Sequence, residues 1–211
     1  MKKIFALFVA LFTFSILIQA TAHARSSGFY IGGGYQQPVM LTWKKQSTVA
    51  VDPGSSIKFW PGFGGYLVGG YEFEKADWFG LAMPVSWSLV RLNKDEWVQL
   101  ITADAEAIFH FMDSENKFDP YVAGLIGFNF LTEGSDSNGS QSFGPSFGAG
   151  FGMRYTLVEY AMAGSPNVTN LSFTAEVPVK IMLFVNDQEL ADSKTTPIIS
   201  IPVKVGLTYS F

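Results

Sequence analysis

The sequence predicts an all-β protein: a closed, antiparallel, up-and-down eight-stranded transmembrane β-barrel, preceded by a cleaved signal peptide. Three observations carry this prediction. Apolar residues alternate with small or polar ones along eight segments, which is the period of a β-strand. Only 15% of the 211 residues are charged, whereas 48% are hydrophobic, so charge is too scarce to cover an ordinary soluble domain. After residue 24 no stretch reaches the roughly 18 apolar residues of a spanning helix.

The N-terminus has the order of a secretory signal peptide. Lys2 and Lys3 precede an apolar stretch over residues 4–18, and the small-residue triplet Ala22-His23-Ala24 follows it. We expect cleavage after Ala24, which divides the chain into a signal peptide at 1–24 and a barrel domain at 25–211. The alternative is an uncleaved anchor helix, for which the apolar core is short. The protein is therefore expected to work outside the cytoplasm.

Eight segments show the alternation and become the predicted strands. In residues 78–89, Phe79, Leu81 and Trp87 share one face, while Ser86 and Ser88 lie on the other. The same pattern is clear at 143–157, 171–185 and 199–211, and weaker at 28–36, 62–74, 97–111 and 121–132. Most segments match the roughly 9–11 residues that cross a bilayer as a tilted strand. A helical interpretation fails because no segment sustains a period of 3.6.

The composition of the two strand faces distinguishes a membrane barrel from a soluble β-sandwich or lipocalin-like barrel. A soluble barrel needs a charged outer face, but here the second face carries mostly Gly, Ala, Ser and Thr, which suit a narrow, filled lumen. The apolar face is therefore expected to contact hydrocarbon, with aromatic girdles near the segment ends. The girdle candidates are Trp87, Trp97, Phe109, Phe111, Tyr155, Tyr209 and Phe211. A periplasmic soluble β-domain is the alternative.

Three prolines contradict a regular closed sheet. Pro84, Pro178 and Pro202 fall inside predicted strands, and each lacks the backbone N–H that a ladder needs. Local bulges or water in the lumen would be required there, and the sequence does not decide between them.

An even number of strands places both chain termini at the same end of the barrel. The predicted turns at that end are residues 75–77, 112–117 and 158–170, and the predicted outer loops are residues 37–60, 91–96, 133–142 and 186–197. The first loop, with Trp43, Lys44, Lys45, Trp60 and Pro61, is the best candidate for contact with a partner. An aromatic girdle with a solvated basic tip is the simpler interpretation of the same residues.

The inward face carries the candidate site residues. Its predicted ion-pair network consists of Glu72, Asp104, Glu106, Arg154, Glu176, Lys180 and Lys204. Counting from the strand ends sorts Glu72, Glu106, Arg154 and Glu176 into a lower layer, and Asp104, Lys180 and Lys204 into an upper one. Buried charges persist when they are paired, so we expect ion pairs between strands that plug the lumen. An ion path lined by the same groups is the alternative.

The sequence offers little support for catalysis or metal binding. His23 leaves with the signal peptide, so His110 is the only histidine available as a catalytic base, and no serine is positioned beside it. We therefore predict a histidine whose hydrogen bonds are satisfied in the lumen or at the membrane interface, no enzyme activity and no cofactor. There is no cysteine and no histidine pair for a metal. Asp104 and Glu106 leave a carboxylate metal site open as an alternative to an ion-pair layer.

The last eight residues carry a pattern associated with barrel assembly. Lys204, Gly206, Tyr209 and the terminal Phe211 resemble the C-terminal insertion signal of bacterial outer-membrane barrels. With the signal peptide and eight segments, the whole mature chain resembles small barrels of the OmpA, OmpX and OmpW kind. This resemblance implies an outer-membrane location, contact with membrane lipids and lipopolysaccharide, and recognition by the barrel assembly machinery.

Function follows less directly from the sequence. We expect a monomeric, non-enzymatic barrel with a structural or surface-interaction role through its outer loops. The net charge of −4 offers no footprint for nucleic acid. Two alternatives are kept: a conduit for small apolar molecules, which needs an apolar lumen and a lateral gap, and an enzyme that modifies the acyl chains of lipid A.

Overall fold

The computed structural model describes residues 28–43, 57–91, 97–113, 115–133, 141–161, 168–186 and 196–211. These ranges contain ten strand segments: β1 (Gly28–Gln37), β2 (Val39–Trp43), β3 (Ile57–Glu72), β4 (Phe79–Arg91), β5 (Trp97–His110), β6 (Phe118–Glu133), β7 (Gln141–Ala161), β8 (Val168–Asn186), β9 (Thr196–Ser200) and β10 (Val203–Ser210). Within these ranges no helix has the length and apolarity to cross a membrane. The predicted signal peptide lies outside the described residues.

The ten segments close into an eight-stranded antiparallel barrel. β1 and β2 form one barrel strand interrupted at Pro38, and β9 and β10 form the last one, interrupted at residues 201–202. Each barrel strand pairs with the next along the chain, and the barrel closes where β1 pairs with β10, with Tyr30 opposite Ser210. Closure leaves no sheet edge along the paired wall, as a strand-built membrane protein requires. The predicted fold class is confirmed.

The strand faces point as the alternation predicts. Leu67 is 73% exposed and Phe151 57% exposed on the outer surface, whereas Ser86, Arg154 and Lys204 are buried inside the barrel. The predicted girdle residues are all exposed or half-buried. A soluble barrel would bury the large apolar side chains and expose the charged ones. This apolar exterior, on a closed barrel, is that of a protein embedded in a membrane.

One end of the barrel, called here the terminal end, holds Gly28 and Phe211, and the opposite end is called the distal end. A continuous row of aromatic contacts, the aromatic belt, encircles part of the terminal end. It runs through Phe29, Tyr71, Phe73, Phe79, Trp78 and Phe109, with ring centroids 4.9–6.1 Å apart, and Tyr209 and Phe211 pack at 5.0 Å beside it. Such belts lie at the level of lipid headgroups, so the belt marks one membrane interface.

Several strands extend further than the alternation indicates. The predicted turn at 158–170 is too long, because β7 continues to Ala161 and β8 begins at Val168, with an irregularity in register between Thr156 and Val158. The extra residue in β7 shifts the alternation there, which conceals the continuing strand from a period-two search. The predicted first outer loop likewise contains β2 and the start of β3, so Trp43 and Trp60 lie in strands; Lys44 and Lys45 lie outside the described residues.

The prolines are accommodated by interruptions of the backbone ladder. Between β8 and the last barrel strand, pairing stops at Lys204 opposite Glu176 and resumes at Ser200 opposite Lys180. Counting inward from both sides sets Pro202 opposite Pro178, so one interruption contains two residues without an N–H. The pairing of β4 with β5 is interrupted at Pro84 in the same way.

Candidate functional site

Charged side chains form three tiers inside the lumen, and a layer of apolar side chains lies between these tiers and the distal end. From the terminal end upward, the terminal tier comprises Glu72, His110, Asp119 and Arg154, the middle tier Glu106, Glu176 and Lys204, and the distal tier Asp104 and Lys180. All nine side chains are buried. The order follows from the strand alternation, because every second residue of β5 and β8 points inward at a successive height.

The terminal tier is a chain of charged hydrogen bonds that joins four strands. Arg154 Nη1 donates to Glu72 Oε1 at 2.9 Å, and the other carboxylate oxygen of Glu72 lies 2.9 Å from His110 Nε2. The second ring nitrogen of His110, Nδ1, lies 2.7 Å from Asp119 Oδ2. The Arg154 guanidinium also lies over the Tyr30 ring, 4.9 Å from its centroid. Both nitrogens of His110 are thus occupied by carboxylates.

The middle tier places two carboxylates on one ammonium group. Lys204 Nζ donates to Glu106 Oε1 at 3.1 Å and to Glu176 Oε1 at 3.2 Å. The hydroxyl of Tyr121 donates to the remaining oxygen of Glu176 at 3.1 Å. Lys204 and Glu176 are direct partners across β10 and β8, whereas Glu106 reaches the tier from β5. The tier therefore connects opposite parts of the wall across the lumen.

The distal tier is a single ion pair. Lys180 Nζ donates to Asp104 Oδ2, and Ser146 Oγ lies 3.4 Å from the other carboxylate oxygen. The two charged side chains are only 3% and 1% exposed. Because an unpaired charge in this position would be costly, each partner depends on the other.

A small cavity remains between the terminal and middle tiers. Its volume is about 30 Å³, and its lining includes Glu106, Lys204 and three tyrosines. Arg154 Nε and Thr208 Oγ1, which belong to residues of the same lining, have no hydrogen-bond partner among the described residues. The volume suits a water molecule, which these two polar atoms could bind.

The apolar layer lies inside the barrel at the distal end. Its eight members come from β2, β4, β5, β6, β8 and β9 and are at most 6% exposed: Met40, Val90, Val98, Leu100, Leu131, Met182, Phe184 and Ile198. The cluster is formed by the inward-pointing side chains of these strands.

The structure brings all seven predicted network residues into tiers, but their grouping differs from the sequence-based layers. Lys204 lies with Glu106 and Glu176 rather than with Asp104 and Lys180. Counting from strand ends places Lys204 incorrectly because strands in a tilted barrel are staggered, so equal counts do not give equal heights.

Sequence reasoning missed the second carboxylate of the terminal tier, Asp119, and the apolar layer. Asp119 lies two residues before Tyr121 on the same face, but β6 begins at Phe118, before the predicted start at 121. Extending the alternation backward by one period would have included Asp119. Val98 and Leu100 share the inward face of β5, and this apolar pair was the available signal for the layer.

The structure also describes the residues considered for metal binding and for barrel assembly. Among the described residues no group of three or more potential ligands could hold a metal ion. The four residues of the C-terminal pattern lie in or directly after β10, where Lys204 points into the lumen, and Phe211 N donates to Phe29 O at 3.0 Å. Their role in assembly remains a prediction.

Comparison with known proteins gives structural similarity only. No protein-family model matches the sequence, and no curated protein matches it. Among solved structures, Neisserial surface protein A (NspA) is similar with a TM-score of 0.60 at 18% identity, over 89% of this chain and 99% of that one. OprG, an outer membrane protein of Pseudomonas aeruginosa, has a TM-score of 0.49 at 15% identity over 90% and 99%. Ail of Yersinia pestis has 0.47 at 16% over 89% and 100%. With its closed wall and apolar exterior, the chain has the fold of the small eight-stranded barrels of the bacterial outer membrane.

Proposed function

We propose that this outer-membrane barrel is non-enzymatic, with a plugged lumen and a structural or surface-interaction role through its outer loops. The apolar layer is the observation that carries the proposal. Eight buried side chains from six strand segments meet across the distal end of the lumen, and four of them, Met40, Val90, Val98 and Met182, have no exposed surface. A hydrated ion would have to lose its water to cross this layer, and no charged group there replaces it.

The ionic tiers reinforce the proposed plug. Each carboxylate of the three tiers contacts a cationic or ring nitrogen from another strand, so opening the lumen would separate buried charges. Separating one such pair leaves an uncompensated buried charge, at a cost of about 3–5 kcal/mol. A wall held by several such contacts favours a scaffold for loops over a channel that opens.

Planar bilayer recordings test the proposal. Purified barrel inserted into bilayers is expected to give no sustained conductance. A variant with Leu100→Gly and Met182→Gly removes two large side chains of the apolar layer without changing the outer face, and it is expected to give measurable current. Steady open channels in most insertions of the unchanged protein would contradict the plug.

The enzyme alternative has little support. A histidine acting as a base toward serine needs one free ring nitrogen, and both nitrogens of His110 lie against the carboxylates of Glu72 and Asp119. We therefore expect the mass spectrum of lipid A to be the same in cells with and without the protein. A change in acyl-chain number that depends on His110 would restore the enzyme alternative.

An apolar conduit is a second candidate, favoured by one observation. The interruption at Pro178 and Pro202 lies between the distal tier and the middle tier, so an opening there would connect the lumen to the surrounding lipid. Uptake of an apolar dye into liposomes with and without the protein tests this candidate. Because the chain has no cysteine, Val177→Cys with Val203→Cys provides a disulfide across the interruption. If the barrel is a conduit, the dye is taken up, and oxidation of the two cysteines to the disulfide abolishes the uptake. If the lumen is plugged, no dye is taken up whether the cysteines are reduced or oxidised.

The C-terminal pattern is proposed to direct assembly. Phe211→Ala removes its terminal aromatic ring while leaving β10 and its pairing with β1 in place. We expect less folded protein in the outer membrane of cells, but unchanged refolding of the purified barrel in detergent. Equal amounts of folded protein in cells would exclude Phe211 from an assembly signal.

A further inference from the structure

The outer wall has an apolar groove lined by residues of β1, β3, β4, β8 and β10. It measures about 620 Å³. The side chains that form its sides are Ile31, Leu67, Met83, Val85 and Leu207, and Gly69 lies among them. This volume falls within the roughly 300–1,000 Å³ of sites that hold small molecules.

The groove exists because one outward position lacks a side chain. Gly69 of β3 stands opposite Ile31 on one neighbouring strand and Met83 on the other. Both neighbours are large and exposed, at 56% and 69%. A Cβ atom at Gly69 would have no other atom within 4 Å, so the absent side chain leaves open space rather than room for a packed neighbour.

The position of the groove relative to the aromatic belt defines the surrounding leaflet. Tyr71 of the belt lies two residues from Gly69 along β3, and Tyr209, which packs with Phe211 beside the belt, belongs to the groove lining. Since the belt marks the membrane interface at the terminal end, the groove begins at headgroup level and extends into the hydrocarbon of the adjacent leaflet. The groove is therefore continuous with the lipid-facing surface of the barrel.

We propose that this groove binds one acyl chain of a phospholipid from the leaflet at the terminal end. Its sides are aliphatic, and none of its lining residues is charged, as an acyl chain requires. The groove opens toward the belt, where the lipid headgroup lies and Tyr71 and Tyr209 offer hydroxyl groups. A bound chain would contact aliphatic side chains of several neighbouring strands at once.

Filling the groove tests the proposal. Gly69→Leu places a side chain in the open space, and its Cβ atom would have no described atom within 4 Å. Gly124→Leu is the matched control, because Gly124 is also exposed, has no atom within 4 Å of a Cβ, and lies on β6 outside the groove. All three proteins are reconstituted into nanodiscs of phosphatidylethanolamine and phosphatidylglycerol, released in mild detergent and examined by native mass spectrometry.

The unchanged protein and Gly124→Leu are expected to retain one phospholipid. In Gly69→Leu the intensity of that adduct is expected to fall roughly tenfold or more, the effect of losing about 1.4 kcal/mol of binding free energy. Equal adducts in all three proteins, or none in any, would overturn the proposal. A dimer that disappears only in Gly69→Leu would also overturn it and would assign the groove to a second copy of the chain.

Discussion

Replacing Lys180 with methionine is expected to destabilise the barrel by about 3–5 kcal/mol. The ammonium group of Lys180 is the cation paired with Asp104, and the two side chains are 3% and 1% exposed. Methionine fills similar space but leaves the Asp104 carboxylate, among the described residues, with the Ser146 hydroxyl at 3.4 Å as its hydrogen-bond partner. The magnitude therefore comes from the uncompensated charge rather than from a cavity.

The partner substitution separates charge from packing. Asp104→Asn in the Lys180→Met background removes the uncompensated charge and keeps an oxygen that Ser146 can reach. The double variant is therefore expected to recover most of the lost stability, since buried ion pairs can often be replaced by neutral residues with little loss. The interaction energy from the four proteins of this cycle measures the pair itself.

Urea unfolding in lipid vesicles, followed by tryptophan fluorescence, provides the free energies of unfolding. The five tryptophans report the transfer from membrane to water, and linear extrapolation gives the stability of each variant. The reasoning is refuted if Lys180→Met lies within about 1 kcal/mol of the unchanged protein, or if the double variant is as unstable as the single one.

Three further predictions concern other levels of the lumen. Arg154→Ala leaves carboxylates of the terminal tier uncompensated and should lower the temperature at which the compact band disappears in gels; an unchanged transition would contradict the role of Arg154. Leu100→Ala should cost about 2–5 kcal/mol in urea unfolding because it opens a cavity in the apolar layer; a smaller cost would mean loose packing there. Gly152→Ala brings a methyl group against the Tyr121 ring and should cost about 1–3 kcal/mol, whereas Gly124→Ala should not.

The eight strands and their orientation could be predicted because alternation is a local property. In residues 78–89, Ser86 and Ser88 alternate with Trp87 and Leu89, and β4 buries the serines and directs the larger residues outward or partly outward. The sequence favoured a membrane barrel over a soluble one because the second strand face lacks charged side chains. A strand that meets water on one side needs charged side chains there, and β4 has none between Phe79 and Val90.

Heights within the lumen could not be predicted because they depend on stagger between strands. Glu106 lies four residues from one end of β5, and Lys204 lies in the second position of β10, yet Lys204 contacts Glu106 at 3.1 Å. Strand tilt and stagger are properties of the closed barrel, set by pairings between distant segments. The period-two pattern gives the face of each residue and contains no information on these pairings.

The apolar layer was missed for a related reason. Val98 and Leu100 alternate with Trp97 and Gln99, so neither face of that part of β5 stands out as polar. A short apolar run of this kind is compatible with several environments. Only the convergence of six strand segments at the distal end shows that these residues form a core inside the barrel.

The interruption at Pro178 and Pro202 leads to a last prediction, because an ion pair lies directly beside it. Lys204 and Glu176 are partners across the same pair of strands, at 3.2 Å, and they are the last register pair before the interruption. Because Pro178 and Pro202 lie opposite each other, the backbone ladder is interrupted at one place instead of two. The Lys204–Glu176 ion pair joins β10 and β8 beside the place where the backbone hydrogen bonds stop. Lys204→Met should therefore increase amide exchange at Glu176 and Lys180, whose register partners lie in the last barrel strand on either side of the interruption, more than exchange in the β5–β6 pairing, as measured by hydrogen–deuterium exchange. Uniform acceleration throughout the barrel would show that Lys204 supports global stability and has no particular role at this interruption.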